Sequence, residues 1–305
     1  MANWRIKAIV QKIISFFPGN YKINYLFQKY ITKGVFLSDE YFFDRLGHAE
    51  KHAKFYFEEK HSFPDSTLEL GTGWYPVVPI SMFLLGADSI NTVDITPLLD
   101  KEKLIVTLKK FIEAINNNKV NSIFLRDESR VKKIITLSEK AEQFELTEIL
   151  SKLNITYLQA DARSLPFDAE SIDFIHSNNT LEHIYEDILT DILTEFNRIQ
   201  KKSGLQSHFI DMSDHFAHAD HSITIYNYLQ FTENQWQRID NSVQPQNRLR
   251  LNQYRNLYVK NGLTIIKEEI RPGDINELNK VKLSSPFDSF SKSEVAVSHV
   301  YLLSK

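Results

Sequence analysis

The stretch Thr67-Leu-Glu-Leu-Gly-Thr-Gly-Trp-Tyr75 decides the fold of this chain. Apolar residues lead into Glu69, glycines follow at positions 71 and 73, and a segment of helical character begins at about Val77. Glycine has no Cβ, so the backbone of such a turn can approach a ligand closely. The pattern is typical of the crevice at the carboxyl end of a first parallel strand, where open α/β sheets bind nucleotides.

Three further segments place polar residues at predicted strand ends, in the order that such a sheet requires. The strand over residues 90–95 contains Asp94, about twenty residues past the glycines, where a carboxylate can accept hydrogen bonds from both hydroxyls of a ribose. A second strand runs into Asp161-Ala162. A third runs into Ser177-Asn178 and is followed by Leu181-Glu182-His183.

With these four segments, the chain resembles the class I S-adenosylmethionine (SAM)-dependent methyltransferases over roughly residues 63–215. It is most similar to members with a D-x-x-x-LPF segment, here Asp161 to Phe167, and an LEH tripeptide after the fourth strand. The resemblance implies an α/β fold with a Rossmann-like, doubly wound, seven-stranded sheet and an antiparallel last strand. It also implies SAM as the cofactor and a small or medium-sized acceptor as the partner, with O-methylation slightly favoured over N- or C-methylation.

The resemblance also implies a set of cofactor contacts. The expected cofactor-binding residues are Glu69, Gly71, Thr72, Gly73, Asp94, Ile95, Asp161, Ala162, Ser177 and Asn178. Glu69 and the two glycines are expected around the methionine part of SAM, Asp94 at its ribose, and Asp161 with Ala162 beside the adenine. The family often has a third glycine where Tyr75 stands here. The turn is therefore expected to bend differently and to bring an aromatic ring to the cofactor or substrate pocket.

Three alternatives remain beside a methyltransferase. A nicotinamide enzyme is the weakest, because its G-x-G-x-x-G fingerprint needs glycine where this chain has Pro76. Nor does a nicotinamide enzyme predict the segments at residues 161–162 and 181–183. The other two alternatives keep the SAM site: a catalytically silent SAM-binding or scaffold subunit, and an enzyme that uses the fold for another SAM-derived transfer.

The acceptor is expected to meet residues from about 213 to 258 and the histidine of the LEH tripeptide. Imidazole titrates near neutral pH and can take a proton from a hydroxyl group. The catalytic candidates are His183, His215 and Asp214. Because LEH occurs in methyltransferases of many specificities, a structural or cofactor-adjacent role for the first of these is an open alternative.

The same region supplies the expected substrate contacts, which are His218, Tyr226, Tyr228 and Arg248. A guanidinium pairs bidentately with carboxylate or phosphate, which makes an anionic group on the acceptor plausible. The histidines at 215, 218 and 221 have a spacing that could suggest a metal site. Clustered polar residues on a loop more often bind substrate or each other, so no metal is predicted.

The composition excludes several classes of function. Apolar residues make up 42% and charged residues 25%, as in ordinary globular proteins. The net charge of −3 gives no general attraction to nucleic acid, which is therefore not an expected partner. The absence of cysteine excludes disulfides and thiolate chemistry. No apolar run reaches the roughly 20 residues that span a bilayer, and signal-peptide features are missing, so a cytoplasmic location is expected.

Residues 1–62 are expected to form a helical cap on a SAM-binding domain of residues 63–305. Over residues 4–17 the apolar residues have nearly helical spacing, and Pro18-Gly19 is expected to stop the helix. Every charged residue before Asp39 is basic. Two interpretations are open: the helix buries its apolar face on the domain, including Trp4, Ile9 and Ile13, or residues 1–18 make a peripheral contact with an anionic membrane.

Helical and extended additions complete the predicted domain. The connection between Asp94 and the strand at residue 155 is far longer than the dozen residues of a crossover, which predicts a helical insertion over about 98–153. Its expected roles are a substrate lid, a contact in a homodimer, or a solvated decoration. The last three strands are predicted over Leu205–Met212, Leu263–Glu269 and Val295–Leu303, with Gly204 ending the helix before the first of them.

Overall fold

The fold is described by a computed structural model over residues 3–17 and 36–305. The strands are β1 (Ser66–Leu70), β2 (Ser89–Asp94), β3 (Ile155–Gln159), β4 (Ile172–Asn178), β5 (Gln200–Asp211), β6 (Ile265–Arg271) and β7 (His299–Ser304). The α-helices in the described residues are α1 (Trp4–Ser15), α2 (Asp39–Lys60), α3 (Val77–Leu85), α4 (Lys101–Asn116), α5 (Glu128–Lys140), α6 (Leu146–Lys152), α7 (Glu186–Ile199), α8 (Glu233–Ile239), α9 (Leu251–Lys260), α10 (Ile275–Leu278), α11 (Ser285–Asp288) and α12 (Lys292–Ala296).

The seven strands form one mixed sheet in the order β3-β2-β1-β4-β5-β7-β6, with the last strands antiparallel. β1 lies between β2 and β4 and is parallel to both. All five residues of β1 are buried, as expected of a central parallel strand whose two faces are covered by helices. The predicted Rossmann-like α/β fold is therefore confirmed.

Local signals account for where the flanking helices begin and end. Ser38 caps α2 by accepting a hydrogen bond from the Tyr41 backbone N–H at 3.1 Å, and two acids occupy the first turn, where they favour the helix dipole. Every residue of α3 is buried, and the helix ends at Gly86, whose φ of 110° is one that glycine adopts without a Cβ clash. The beginning of α2 and the end of α3 thus follow from local sequence signals.

The chain divides into two compact units. Unit 1 comprises Met1–Val35, Asn179–Leu193 and His208–Leu302, and unit 2 comprises Phe36–Asn178, Thr194–Ser207 and Leu303–Lys305. Strands β5 and β7 contribute residues to both units. Helix α2 belongs to unit 2.

Residues 98–153 contain three α-helices of unit 2, α4 to α6. Arg130 joins α5 to the end of α3: its Nη1 donates to the carbonyls of Phe83 at 2.9 Å and Ala87 at 2.7 Å, and its Nη2 pairs with Asp88 at 2.6 Å. Phe111 and Phe124 are completely buried. These helices are packed into the unit by an apolar core as well as by charge.

Two sequence expectations for the last strands were wrong. Gly204 does not end a helix: α7 ends at Ile199 and β5 begins at the next residue, so Gly204 lies inside the strand. A Cβ there would lie 2.9 Å from the Lys201 carbonyl oxygen, which explains glycine at this position. Val295 lies in α12 and not in β7, because Ser291 and Glu294 form a capping box that starts a short helix.

Helix α1 forms, but its buried face differs from the one expected. Trp4 is buried between the rings of Phe216 and Phe231, with both centroid distances at 5.8 Å, whereas Ile9 and Ile13 are more than half exposed. Polar anchors from the same helix decide its rotation, as described below. The stop expected at Pro18-Gly19 lies outside the described residues. Across residues 3–17 and 36–305, no helix combines the length and apolarity needed to cross a membrane.

Alanine substitutions at Gly204 and Gly47, both in unit 2, are expected to change the free energy of unfolding in opposite directions. Gly204→Ala should lower the free energy of unfolding by about 1–3 kcal/mol, because the new methyl group clashes with backbone atoms. Gly47→Ala, inside α2 with no atom within 4 Å of its Cβ position, should raise it by about 0.5–1 kcal/mol. Urea denaturation measures both, and a stable Gly204→Ala variant would contradict the close approach.

Candidate functional site

The glycine turn after β1 is built to bring backbone close to a ligand. Gly71 and Gly73 have φ values of 85° and 65°, in the left-handed region that favours glycine. The Gly71 N–H donates to the Val93 carbonyl at 2.8 Å, which ties the turn to β2. A Cβ placed on Gly73 would meet no atom of the described chain within 4 Å, so the space beside this backbone is open.

Glu69 places a buried carboxyl group immediately before this turn. It is 4% exposed, and Thr92 Oγ1 donates to its Oε2 at 3.4 Å. Burial raises the pKa of Glu69 to about 8, against the opposing influence of the Arg45 charge and of hydrogen bonds from Thr92 and Asn178. Near neutral pH the group is therefore largely protonated, and a nearby cation would favour its ionised form.

Asp94 at the end of β2 is oriented by backbone donors. The N–H of Thr96 donates to Oδ1 at 3.0 Å and the N–H of Gly73 donates to Oδ2 at 3.2 Å. Burial raises its pKa despite these hydrogen bonds. Each carboxylate oxygen has two lone pairs, so the group retains acceptor capacity for ligand hydroxyls. The neighbouring Ile95 is largely exposed and offers an apolar surface.

Asp161 and Ala162, expected beside an adenine, follow β3 in unit 2. The Asp161 carboxylate makes a two-point ion pair with Arg163, with Nε–Oδ1 at 3.0 Å and Nη2–Oδ2 at 2.6 Å, and this hydrogen bonding lowers the pKa of Asp161. An adenine amino group would have to share an acceptor that already has a partner. Ala162 is buried, which suits a close apolar wall.

Helix α2 contributes residues to this region that sequence reasoning missed. His52 is completely buried, with Nε2 at 2.9 Å from Asn178 Oδ1 and Nδ1 at 2.7 Å from Ser207 Oγ. Arg45 lies over the ring of Tyr41 at 5.1 Å. Tyr41, Arg45 and His52 follow one another at helical spacing, and this polar face was the signal available in the sequence. Through Asn178, α2 is connected to the expected cofactor residues.

Tyr75 brings an aromatic ring to the turn, where the family often has glycine. Its ring meets that of Tyr41 edge to face, with centroids 6.2 Å apart. On the preceding residue, Trp74, the Lys103 ammonium lies 5.1 Å from the ring centroid. The glycine turn is therefore flanked by two aromatic residues that helices α2 and α4 hold in place.

In unit 1, four histidines surround or adjoin Asp211 at the end of β5. Its Oδ2 lies 3.4 Å from His215 Nε2 and 4.0 Å from His218 Nε2, and its Oδ1 lies 3.3 Å from His299 Nε2. Burial alone would raise the pKa of Asp211, but the hydrogen bond and charge of His215, with the charge of His299, hold it well below its usual range. His183 adjoins this group, and the ring centroids of His183 and His215 lie 4.8 Å apart.

His183 is held in one orientation by a single strong contact. Its Nδ1 donates to the Pro245 carbonyl at 2.6 Å, which leaves the lone pair on Nε2. Burial, with a smaller contribution from the charge of His215, lowers the pKa of His183 to about 4. Its imidazole is therefore neutral near neutral pH and can accept a proton or bind a cation through Nε2.

Asp214 and the expected substrate tyrosines lie in the interior of unit 1. The Asp214 carboxylate accepts hydrogen bonds from Asn227 Nδ2 at 3.0 Å and from the Phe216 N–H at 2.8 Å. Tyr226 donates to the Ala296 carbonyl and Tyr228 to the Met212 carbonyl, both at 2.7 Å. These contacts assign all three side chains to loop fixation and core packing, and direct contact with substrate finds no support in them.

Arg248 is likewise occupied by structural partners. Its Nη1 donates to the Tyr228 carbonyl at 3.1 Å, its Nη2 pairs with Glu233 at 2.7 Å, and its guanidinium stacks over the rings of Trp236 and Phe287. The sequence suggested recognition of an anionic acceptor, but this guanidinium is buried and its donors are in use. His218 is different, because more than half of its side chain is exposed.

Comparison with known proteins gives one family match. Residues 126–206 match the family model of a methyltransferase domain. This segment includes β3, β4, the LEH tripeptide and α7, but not the glycine turn. A search among curated proteins finds no significant sequence match.

Three similar solved structures have low identity to this chain. Geranyl diphosphate C-methyltransferase from Streptomyces coelicolor A3(2) has 11% identity and a TM-score of 0.46, over 84% of this chain and 78% of that one. A SAM-dependent methyltransferase from Leishmania major has 10% identity and a TM-score of 0.45, over 85% and 71%. The [4+2]-cyclase SpnF has 10% identity and a TM-score of 0.44, over 84% and 80%. Similarities this remote carry no information on substrate.

The family match and the sheet order are two independent observations on the kind of fold that this chain has. The match covers β3 at one edge of the sheet and β4 on the other side of β1, and the sheet has the seven-stranded order with antiparallel last strands that the resemblance predicted. SAM is the cofactor of the family that both indicate. Residues 126–206 therefore match a methyltransferase domain, and the chain has the sheet order expected of the class I SAM-dependent methyltransferases that its sequence resembles.

Proposed function

We propose that this enzyme transfers the methyl group of SAM to a small or medium-sized acceptor, with a hydroxyl oxygen as the favoured methylated atom. The observation that carries the proposal is the open glycine turn between two oriented carboxyl groups, Glu69 and Asp94. In the transfer, the acceptor oxygen forms a bond to the methyl carbon as the carbon–sulfur bond breaks. The electron pair stays on sulfur, and the hydroxyl proton goes to a base or to solvent.

The proposed cofactor contacts follow the two ends of SAM. Glu69, Gly71, Thr72 and Gly73 would bind its methionine part, supported by Ser177 and Asn178 from β4. Asp94 would accept from the ribose hydroxyls through lone pairs that the backbone donors leave available. Ile95, Asp161 and Ala162 would border the adenine. The methionine part carries an ammonium group, which suits a buried carboxyl whose ionised form needs a cation.

His183 and His215 are the proposed acceptor-side groups of unit 1. Both present an imidazole nitrogen whose partner nitrogen is already held, by Pro245 in one case and by Asp211 in the other. Such groups ease the loss of a hydroxyl proton, which general base catalysis makes about 10²–10⁴-fold faster. His218 is the remaining candidate for substrate contact, since its side chain is accessible.

SAM affinity tests the cofactor site directly. Gly73→Val should weaken binding strongly, because a β-branched residue cannot easily adopt a φ of 65° and its side chain fills the open space. Asp94→Ala should cost about 1–3 kcal/mol by leaving ribose hydroxyls unpaired. Isothermal calorimetry measures both, with Asp191→Ala, an exposed acid on α7, as the matched control.

Unchanged affinity in both variants would refute the assigned cofactor site. A labelling assay on the same protein distinguishes an enzyme from a catalytically silent SAM-binding subunit. Incubation with methyl-labelled SAM and a metabolite extract should produce a labelled small molecule. A chain that binds SAM at this site but labels no acceptor would be the scaffold alternative.

Glu69 should make SAM binding release a proton. Its pKa is raised to about 8 without a cation, so at pH 6.5 the free enzyme holds the proton and the bound ammonium expels it. Calorimetry in two buffers of different ionisation enthalpy should therefore give a proton release approaching one per SAM. Glu69→Gln, which has no proton to lose, should release almost none. Equal proton release by the two proteins would show that Glu69 does not meet the ammonium.

We further propose that this cytoplasmic enzyme contacts a membrane peripherally through residues 1–18. The outward face of α1 exposes Ile6, Ile9 and Ile13, and Phe16 and Phe17 lie just beyond the helix, each of the five more than half exposed. The basic residues of this segment suit anionic lipid headgroups. A homodimer in which a second copy covers the same face is the alternative partner.

Vesicle binding distinguishes these two partners. The wild-type chain should sediment with vesicles containing phosphatidylglycerol but not with neutral vesicles. The double variant Ile9→Ser, Ile13→Ser should bind at least about tenfold more weakly, because two large apolar side chains leave the lipid interface. Ile275→Ser, an exposed isoleucine of α10, should have no effect. No vesicle binding, together with a dimer that the double variant breaks, would support the second copy instead.

A further inference from the structure

Glu182, His183 and His215 form a compact set of metal-ligand types within unit 1. Each residue offers one ligand atom, and these atoms all lie within 4.8 Å of one another. Glu182 is buried, whereas both histidines are partly exposed, so the set has a covered side and an accessible side. The first two residues share the 3₁₀ turn Leu181–His183, and the third follows β5.

One ring nitrogen of each histidine in this set faces a neighbouring protein oxygen. His183 Nδ1 donates to the Pro245 carbonyl at 2.6 Å, and His215 Nε2 faces Asp211 Oδ2 at 3.4 Å. Metal-ligating histidines characteristically donate their second ring nitrogen to a carbonyl or a carboxylate, which fixes the tautomer and raises ligand basicity. Both kinds of supporting partner are present here.

The turn that carries Glu182 and His183 is itself fastened. Asn247 donates from its side chain to the carbonyls of Leu181 at 2.8 Å and Ile184 at 2.7 Å, and from its backbone to the Glu182 carbonyl at 2.8 Å. The side-chain oxygen of Asn247 in turn accepts from Tyr254 at 3.1 Å. Such restraint on the backbone favours a preformed ligand set over three side chains that meet by chance.

We propose that Glu182, His183 and His215 bind a divalent cation of the Zn²⁺ class. Two imidazoles and one carboxylate are the donor set of catalytic zinc sites, which keep a further position open for a water or substrate oxygen. Tetrahedral Zn²⁺ with bonds of about 2.1 Å holds its ligand atoms about 3.4 Å apart, so small side-chain rotations would close the set.

A cation bound by these three residues would also act on the methyl acceptor. This part of the inference rests on the proposed function. An acceptor hydroxyl bound at the open position would lose its proton more readily, because the cation stabilises the alkoxide. Direct proton transfer to His183 or His215 would then be unnecessary. Metal binding itself depends only on residues of unit 1 and can be tested without an acceptor.

Cobalt binding provides the test, since Co²⁺ replaces Zn²⁺ and its visible absorption reports on coordination. The full-length protein, stripped with a chelator and dialysed, should bind one equivalent of Co²⁺ with visible d–d bands, and added Zn²⁺ should displace it. Glu182→Gln, His183→Gln and His215→Gln should each abolish the bands. Asp211→Asn should weaken binding by about 10–100-fold, as expected of a residue that orients a ligand. His221→Gln, an exposed histidine of the same loop, should bind as the wild type does.

Two readouts keep the outcome unambiguous. Circular dichroism and SAM affinity establish that each variant is folded, and SAM affinity also reports separately on the proposed cofactor site. Absence of d–d bands in the wild-type protein would overturn the metal proposal. Equal Co²⁺ affinity in Glu182→Gln and the wild type would overturn it as well, since adventitious surface histidines would then be the ligands.

Discussion

The burial of the Glu69 carboxyl group is the constraint on which unit 2 depends. An ionised carboxylate in the interior costs several kcal/mol unless charge and hydrogen bonds compensate. The compensating groups come from three other elements: Thr92 on β2, Asn178 on β4 and Arg45 on α2. The β1–β2 register places Glu69 opposite Thr92, so a slip of one residue would remove this donor. The sheet register and the position of α2 are therefore both tied to one side chain beside the glycine turn.

Unit 1 solves a similar problem with a buried cation. Arg250 is 0% exposed and donates to the carbonyls of Met212 at 2.7 Å and Val295 at 2.6 Å, and to the Tyr228 hydroxyl at 3.0 Å. Backbone carbonyls from the end of β5 and from α12 thus surround one guanidinium. This explains why the polar and aromatic residues between 223 and 258 pack inward, since they enclose charged groups that need many partners.

The sequence allowed the sheet to be predicted because polar or glycine residues stand at the ends of its central strands. Asp94 and Asn178 were identified in this way, and both end strands of the parallel core. The start of β7 could not be predicted, because Val295-Ala296 has the apolar character of a strand. Only the capping box at Ser291 and Glu294 indicated a helix.

The partners of the candidate site residues could not be predicted from the sequence, and for a physical reason. A sequence identifies which side chains can donate or accept but not which partners will occupy them. Arg248 was expected to bind an anion, yet its partners include Phe287, which lies far along the chain. Conversely, the helical spacing of His52 with Tyr41 and Arg45 could not indicate its contacts with Asn178 and Ser207, which exist only after the strands pair.

Helix α1 has an inward face that mixes polar and apolar residues and an outward face that exposes large isoleucines. Its inward face includes Gln11, 2% exposed, whose Nε2 donates to Gln244 at 3.0 Å, and Lys12 donates to the Gln237 carbonyl at 3.0 Å. These anchors turn the larger apolar residues, among them Ile9 and Ile13, outward. Exposed apolar surface costs about 25 cal/mol per Å², so a helix held in this rotation is stabilised whenever an apolar phase covers that face. The polar anchors determine the rotation of the helix, and the rotation determines that any partner of α1 must present an apolar surface.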